Sequence, residues 1–94
     1  MKPLNPRRLK GYIAEHVHAE AALRTWWTVV QSASWKDFTA VRQTFNSASY
    51  TDPYVVFNIK GNDYRLVTYI DFDRGFVVLK WFGTHAEYSR GKWK

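Results

Sequence analysis

Ninety-four residues with no cysteine and a net charge of +6 make one small domain, residues 1–94, without a disulfide framework or a thiolate metal site. No run approaches the ~20 apolar residues of a membrane-spanning helix. The start, MKPLNPRRLK, carries charge with no apolar stretch behind it, so it does not read as a signal peptide and a cytoplasmic setting is expected. The basic balance, with a pI near 9.8, favours polyanionic partners, nucleic acid first among them.

In chain order, Asn5-Pro6 predicts a helix start, an N-cap side chain followed by proline at the first helical position. Leu9, Tyr12 and Ile13 then recur at helical spacing, with Arg7, Arg8 and Lys10 off that stripe. These three cations read either as a solvated face or as contacts to RNA phosphates or an acidic partner. His16 and His18 fall at a break between helices. Two residues apart, they do not share a helix face, and no third ligand accompanies them, so no metal site and no cofactor is expected. A structural role and an RNA contact both stay open for them.

Residues 20–33 make the strongest helix, with an apolar stripe of Leu23, Trp26, Trp27, Val30 and Ala33. Ser34 to Asp37 resembles a capping box that opens a short helix with Phe38, Val41 and Phe45 inward. Residues 46–53 read as a loop with room for a short edge strand.

Three consecutive strands follow. Gly61-Asn62 sits between two β-rich runs, and both residue types tolerate the positive φ of a tight hairpin. With that turn, Lys60 faces Asp63 and Asn58 faces Arg65. Alternation puts Val55, Phe57, Ile59, Tyr64, Leu66, Thr68 and Ile70 on a core face and Tyr54, Val56, Asn58, Arg65, Val67 and Tyr69 on a mixed face meeting solvent or a ligand. In the third strand Val77, Leu79 and Trp81 form the cleaner apolar set. Their burial leaves Val78, Lys80 and Phe82 on the mixed face, with Lys80 opposite Val67 and next to Arg65, unless a bulge intervenes. The tail SRGKWK is basic and reads as a mobile end. The expected fold is α+β, N-terminal helices packed on one face of a twisted antiparallel sheet.

On the mixed face, Arg65 between Asn58 and Lys80 suits an anion. Arginine offers a planar fork to phosphate and lysine a point charge. The competing reading is ion pairing of Arg65 with Asp63 or Asp71. His85 and Tyr88, at the end of the last strand, are candidates for proton transfer. Together the set suits RNA cleavage without metal, the 2′-hydroxyl attacking the adjacent phosphate while cations stabilise the developing charge. Arg65, His85 and Tyr88 are the catalytic candidates; Lys60, Lys80, Arg90, Lys92 and Asn58 are the RNA-binding ones.

VVFNIKGNDYRLV followed by GTHAEY resembles the HigB family of type II toxins, within the RelE-like superfamily of mRNA interferases. EHVHAEAALRTWW is similar to the family's N-terminal helical segment, which commonly has His-Pro-x-Ala where this chain has His16-Val17-His18-Ala19. The resemblance implies a ribosome-dependent endoribonuclease acting on mRNA in the ribosomal A site. It also implies a HigA-type helix-turn-helix antitoxin, through which the pair binds operator DNA. Arg65, His85 and Tyr88 match the family's strand arginine and terminal motif. Ser89 stands where relatives usually have aspartate, and Pro3 and Pro6 stand where relatives begin a strand, so the first strand is expected to be missing or displaced. The alternatives are a non-catalytic RNA- or DNA-binding module that stacks bases on Tyr54, Tyr69 and Phe82, and a protein whose mixed face binds only a protein partner.

Overall fold

The computed structural model describes residues 1–93. Helix α1 (Pro6–Glu15) begins as its sequence predicts: the Asn5 side chain accepts from the Arg8 backbone N–H, and Leu9 and Ile13 are buried. A 3-10 turn, Val17–Ala19, leads into α2 (Glu20–Ser32), whose Leu23, Trp26 and Val30 lie inward. Helix α3 (Phe38–Thr44) is capped by Asp37, which accepts from the Ala40 backbone N–H, and not by Ser34. The start lies beyond Ser34 because Trp35 is drawn into the core, where its indole N–H donates to Thr44 Oγ1 at 3.0 Å.

The sheet has five strands in the order β1-β5-β4-β3-β2, with ranges Lys2–Leu4 (β1), Ser49–Thr51 (β2), Tyr54–Ile59 (β3), Tyr64–Asp71 (β4) and Phe76–Thr84 (β5). It closes with the short helix α4, His85–Ser89. The expected loss of the first strand is corrected. Strand β1 is present and runs parallel to β5, with Pro3 opposite Val77. A proline is tolerated there because β1 is an edge, where a missing N–H breaks no inner ladder. The N-terminal ammonium donates to Ala33 O and ties β1 to the end of α2.

The β3–β4 register is the predicted one, with Asn58 opposite Arg65 and Phe57 opposite Leu66. The left-handed residues of the turn are Lys60 (φ 54) and Gly61 (φ 65), rather than Gly61 and Asn62. Phe57 anchors the core, edge-on to Trp26 at 5.3 Å and Phe45 at 5.2 Å. Thr68 is buried on this face and satisfies itself by donating to Val55 O.

The β5 register is corrected. Up to Leu79 the alternation holds, but the pairing shifts between Val67 and Thr68: Leu79 faces Thr68, and Trp81 faces Val67. Lys80 is the extra residue of a β-bulge, which flips every later side chain. Phe82 therefore enters the core, 6% exposed, and Trp81 goes to the outer face. The bulge is supported from α1, where Arg8 Nη1 donates to Lys80 O at 3.0 Å.

The outer face is covered as well. Val56 and Val67, paired across β3 and β4, are each 1% exposed yet stand apart from the helix-side core. Aromatic rings flank them. Tyr88 of α4 lies 6.4 Å from Trp81 and stacks on Trp93 at 5.3 Å with planes 7° apart, and Trp93 meets Tyr54 at 5.8 Å. The C-terminal segment folds back over the sheet, where a mobile tail was expected.

Candidate functional site

One end of the sheet gathers the polar residues. Across it runs a transverse row in which Asn58 pairs with Arg65, and Arg65 pairs with Gly83. His85 lies two residues beyond Gly83, and its backbone N–H donates to Asp63 O at 2.9 Å. That bond fastens α4 to the β3–β4 hairpin, so the exposed imidazole of His85 and the guanidinium of Arg65 belong to the same end. Lys60 is exposed in the same hairpin.

Arg65 is oriented without a carboxylate. Its Nη2 donates to Asn62 Oδ1 at 2.7 Å, and its Nη1 to the Asn62 and Tyr64 carbonyls at 3.1 Å each. Neither Asp63 nor Asp71 makes an ion pair with it among the described residues; Asp71 meets Arg74 instead, at 3.9 Å. The guanidinium keeps its full positive charge while its direction is fixed, the arrangement an incoming phosphate needs.

Lys80 is not next to Arg65. The bulge places it three residues along β5 from Gly83, roughly 10 Å at ~3.3 Å per residue, and it is exposed. Tyr88 sits within the outer aromatic stack, half-buried, and Arg90 and Lys92 follow it exposed on the returning tail. Phe82, a proposed base-stacking residue, is unavailable because it is in the core; Tyr69 remains 40% exposed.

Two features of this end were missed by sequence reasoning. His16 is drawn in from the α1–α2 break, its ring edge-on to Tyr64 at 5.5 Å and to Phe82 at 5.4 Å. The second is a capping box at the start of α4: Thr84 Oγ1 accepts from the Glu87 N–H, and Glu87 Oε1 accepts from the Thr84 N–H at 2.8 Å. Its signal, Thr-x-x-Glu in THAE, was legible. Gly83 makes room for it, since a Cβ there would come within 2.4 Å of the Trp81 ring and 2.8 Å of Glu87 Oε1.

The Thr84 backbone hydrogen bond holds the Glu87 carboxyl below its usual range, with smaller help from the Thr84 hydroxyl and the charges of His16 and Lys92, against a desolvation that raises it. A depressed carboxylate contributes stability above its unfolded pKa, about 4.3, and loses it as pH falls through the folded value. Glu87→Gln keeps a capping amide and removes the charge. It is expected to cost about 0.3–1 kcal/mol at neutral pH and nothing in acid, so that thermal melts of variant and wild type converge as pH falls through the lowered folded value. A difference that persists in acid would place the effect in packing instead.

N-terminal helices on one face of a five-stranded sheet, with a short C-terminal helix fastened to the central hairpin, fit the RelE-like fold. A family model, HigB_toxin, RelE-like toxic component of a toxin-antitoxin system, matches residues 19–91. The chain belongs to this family: it is the toxin of a toxin-antitoxin pair, and its partner is an antitoxin. No curated protein matches the chain. Among the described residues, no helix is long and apolar enough to cross a membrane.

Proposed function

We propose that this toxin is an endoribonuclease that cuts mRNA during translation, in the cytoplasm, by metal-independent attack of a 2′-hydroxyl on the adjacent phosphate. The observation that carries this reading is the shared sheet end of Arg65 and His85, joined through the Arg65–Gly83 pairing and the His85–Asp63 bond. The 2′-oxygen forms a bond to phosphorus as the P–O5′ bond breaks. A base takes the 2′ proton, an acid returns one to the leaving 5′-oxygen, and the products are a 2′,3′-cyclic phosphate and a 5′-hydroxyl.

His85 is an exposed proton-transfer group, and Tyr88, three residues on along α4, is the second candidate. Arg65 stabilises the charge on the phosphate oxygens. Lys60 and Asn58 extend the RNA contact along the hairpin, while Lys80, Arg90 and Lys92 supply charge further out. A HigA-type helix-turn-helix antitoxin that carries the pair to operator DNA completes the proposal.

The test is end mapping on mRNA cut by the purified protein added to translating ribosomes. Cyclic-phosphate 3′ ends are expected, with activity unchanged when the protein is treated with chelator beforehand. Ends bearing a 3′-hydroxyl and a 5′-phosphate would mean that water, not the 2′-oxygen, attacked phosphorus.

A further inference from the structure

The sheet ends on strand β2, which pairs with β3 along one side and, among the described residues, with no strand along the other. Its three residues, Ser49, Tyr50 and Thr51, are all exposed, and neither a charge, a proline nor a bulge interrupts them. Edges that stay single usually carry such an interruption, because their open backbone N–H and C=O groups call for another extended chain. Tyr50 stands 52% exposed at the middle of this edge, its ring 5.7 Å from that of Phe38 on α3.

The flank of the edge is self-complementary. On α3 lies an open groove of about 420 Å³ lined by Phe38, Thr39, Arg42 and Gln43. Arg42 donates from Nη2 to Asn46 O at 2.8 Å, in the turn that leads into β2, so its charge stands toward the beginning of the strand. Asp52 follows the last residue of the strand. Its Oδ1 accepts from the Tyr50 hydroxyl at 2.8 Å, so the tyrosine ring leans toward the strand's far end. Arg42 and Asp52 are exposed, and neither is in an ion pair among the described residues.

We propose that this face binds a second copy of the chain, the two β2 strands pairing antiparallel about a two-fold axis at Tyr50. An antiparallel partner sets the beginning of one strand against the end of the other. Asp52 of each copy thus comes to the Arg42 end of the other, and each Tyr50 ring leans toward the groove beside the other copy's Phe38. A two-fold contact makes every match twice, so one cation, one anion, one ring and one groove per chain leave nothing over. A second copy is favoured over a foreign segment because each group at this edge finds its complement on the same chain. The row of Asn58, Arg65 and Gly83 lies beyond the part of β3 that β2 covers, so the proposed RNA site stays open in both copies.

The test is sedimentation equilibrium of the purified chain, with amide hydrogen exchange at low and high concentration. The mass should rise from 11.1 kDa toward twice that value as concentration rises. The backbone amides of residues 49–51 that face the open edge should slow by roughly fivefold or more as it does so. Arg42→Glu sets like charges together twice and should weaken association by about tenfold or more. Arg42→Glu combined with Asp52→Arg restores the opposition with the signs exchanged, and should return association to within about threefold of wild type. A mass that stays at 11.1 kDa up to about 1 mM, the weak end of specific affinity, overturns the proposal. So does association with unchanged exchange at residues 49–51, wild-type association of a folded Arg42→Glu, or a folded double variant no better than Arg42→Glu. Slowing of these amides only when the antitoxin is added would make the antitoxin the occupant, and would overturn it equally. If a variant fails to fold, the mass and exchange of the wild type decide. No RNA is present in any arm, so the result is independent of the cleavage chemistry.

Discussion

His85→Ala is expected to lower mRNA cleavage by about 10²–10⁴-fold, the usual worth of a positioned acid or base, and to abolish growth arrest. The fold should survive, because the imidazole is exposed and the interaction that fastens α4 comes from the His85 backbone N–H to Asp63 O, which alanine retains. A stability change within about 0.5 kcal/mol is expected, with antitoxin binding unaltered. This separates the variant from Arg65→Ala, which also releases the Asn62 carbonyl and side chain and so loosens the hairpin. Arg65→Lys keeps the charge but not the fork that holds it in place. The checks are mapped mRNA ends and growth on induction, set beside thermal melts of the same preparations. Undiminished arrest by a folded His85→Ala would remove the imidazole from the chemistry and favour toxicity by binding alone.

The hairpin between β3 and β4 was legible because its signals are local: a glycine at the turn and a strict two-residue alternation on both sides fix one register. Arg65 opposite Asn58 followed directly. The last strand was not legible for the opposite reason. In Val77-Val78-Leu79-Lys80-Trp81-Phe82 either of two phases buries a large apolar set, so alternation alone does not reveal the bulge at Lys80. The contact that supports that bulge comes from Arg8, seventy-two residues away in sequence. Strand β1 was missed similarly, since a three-residue run with a central proline has no local strand signal and is held by parallel pairing to β5. The tail reads as a solvated end because its cations dominate its composition, yet Trp93 folds it back onto Tyr88 and Tyr54. A single tryptophan in a short basic segment was the available signal. The site thus divides cleanly: the Arg65 row was set by the hairpin, while the distance of Lys80 and the packing of Tyr88 were set by contacts remote in sequence.

Two substitutions at Trp26 should give opposite results. Trp26→Ala empties the place of the largest fully buried side chain, which meets Phe57 edge-on at 5.3 Å. The expected cost is about 3–5 kcal/mol, out of the ~5–15 kcal/mol that holds a domain of this kind together, so the variant should be largely unfolded at physiological temperature or at low denaturant. Trp26→Phe keeps an aromatic ring against Phe57 and deletes the unpartnered indole N–H. The volume lost disfavours the folded state, and removal of a buried donor without an acceptor, worth about 1–3 kcal/mol, favours it. The two contributions offset, and a urea midpoint corresponding to within about 1 kcal/mol of wild type is expected. If Trp26→Phe were destabilised as severely as Trp26→Ala, the indole N–H would have to be satisfied in the folded protein and the donor would not be the cost that its burial implies.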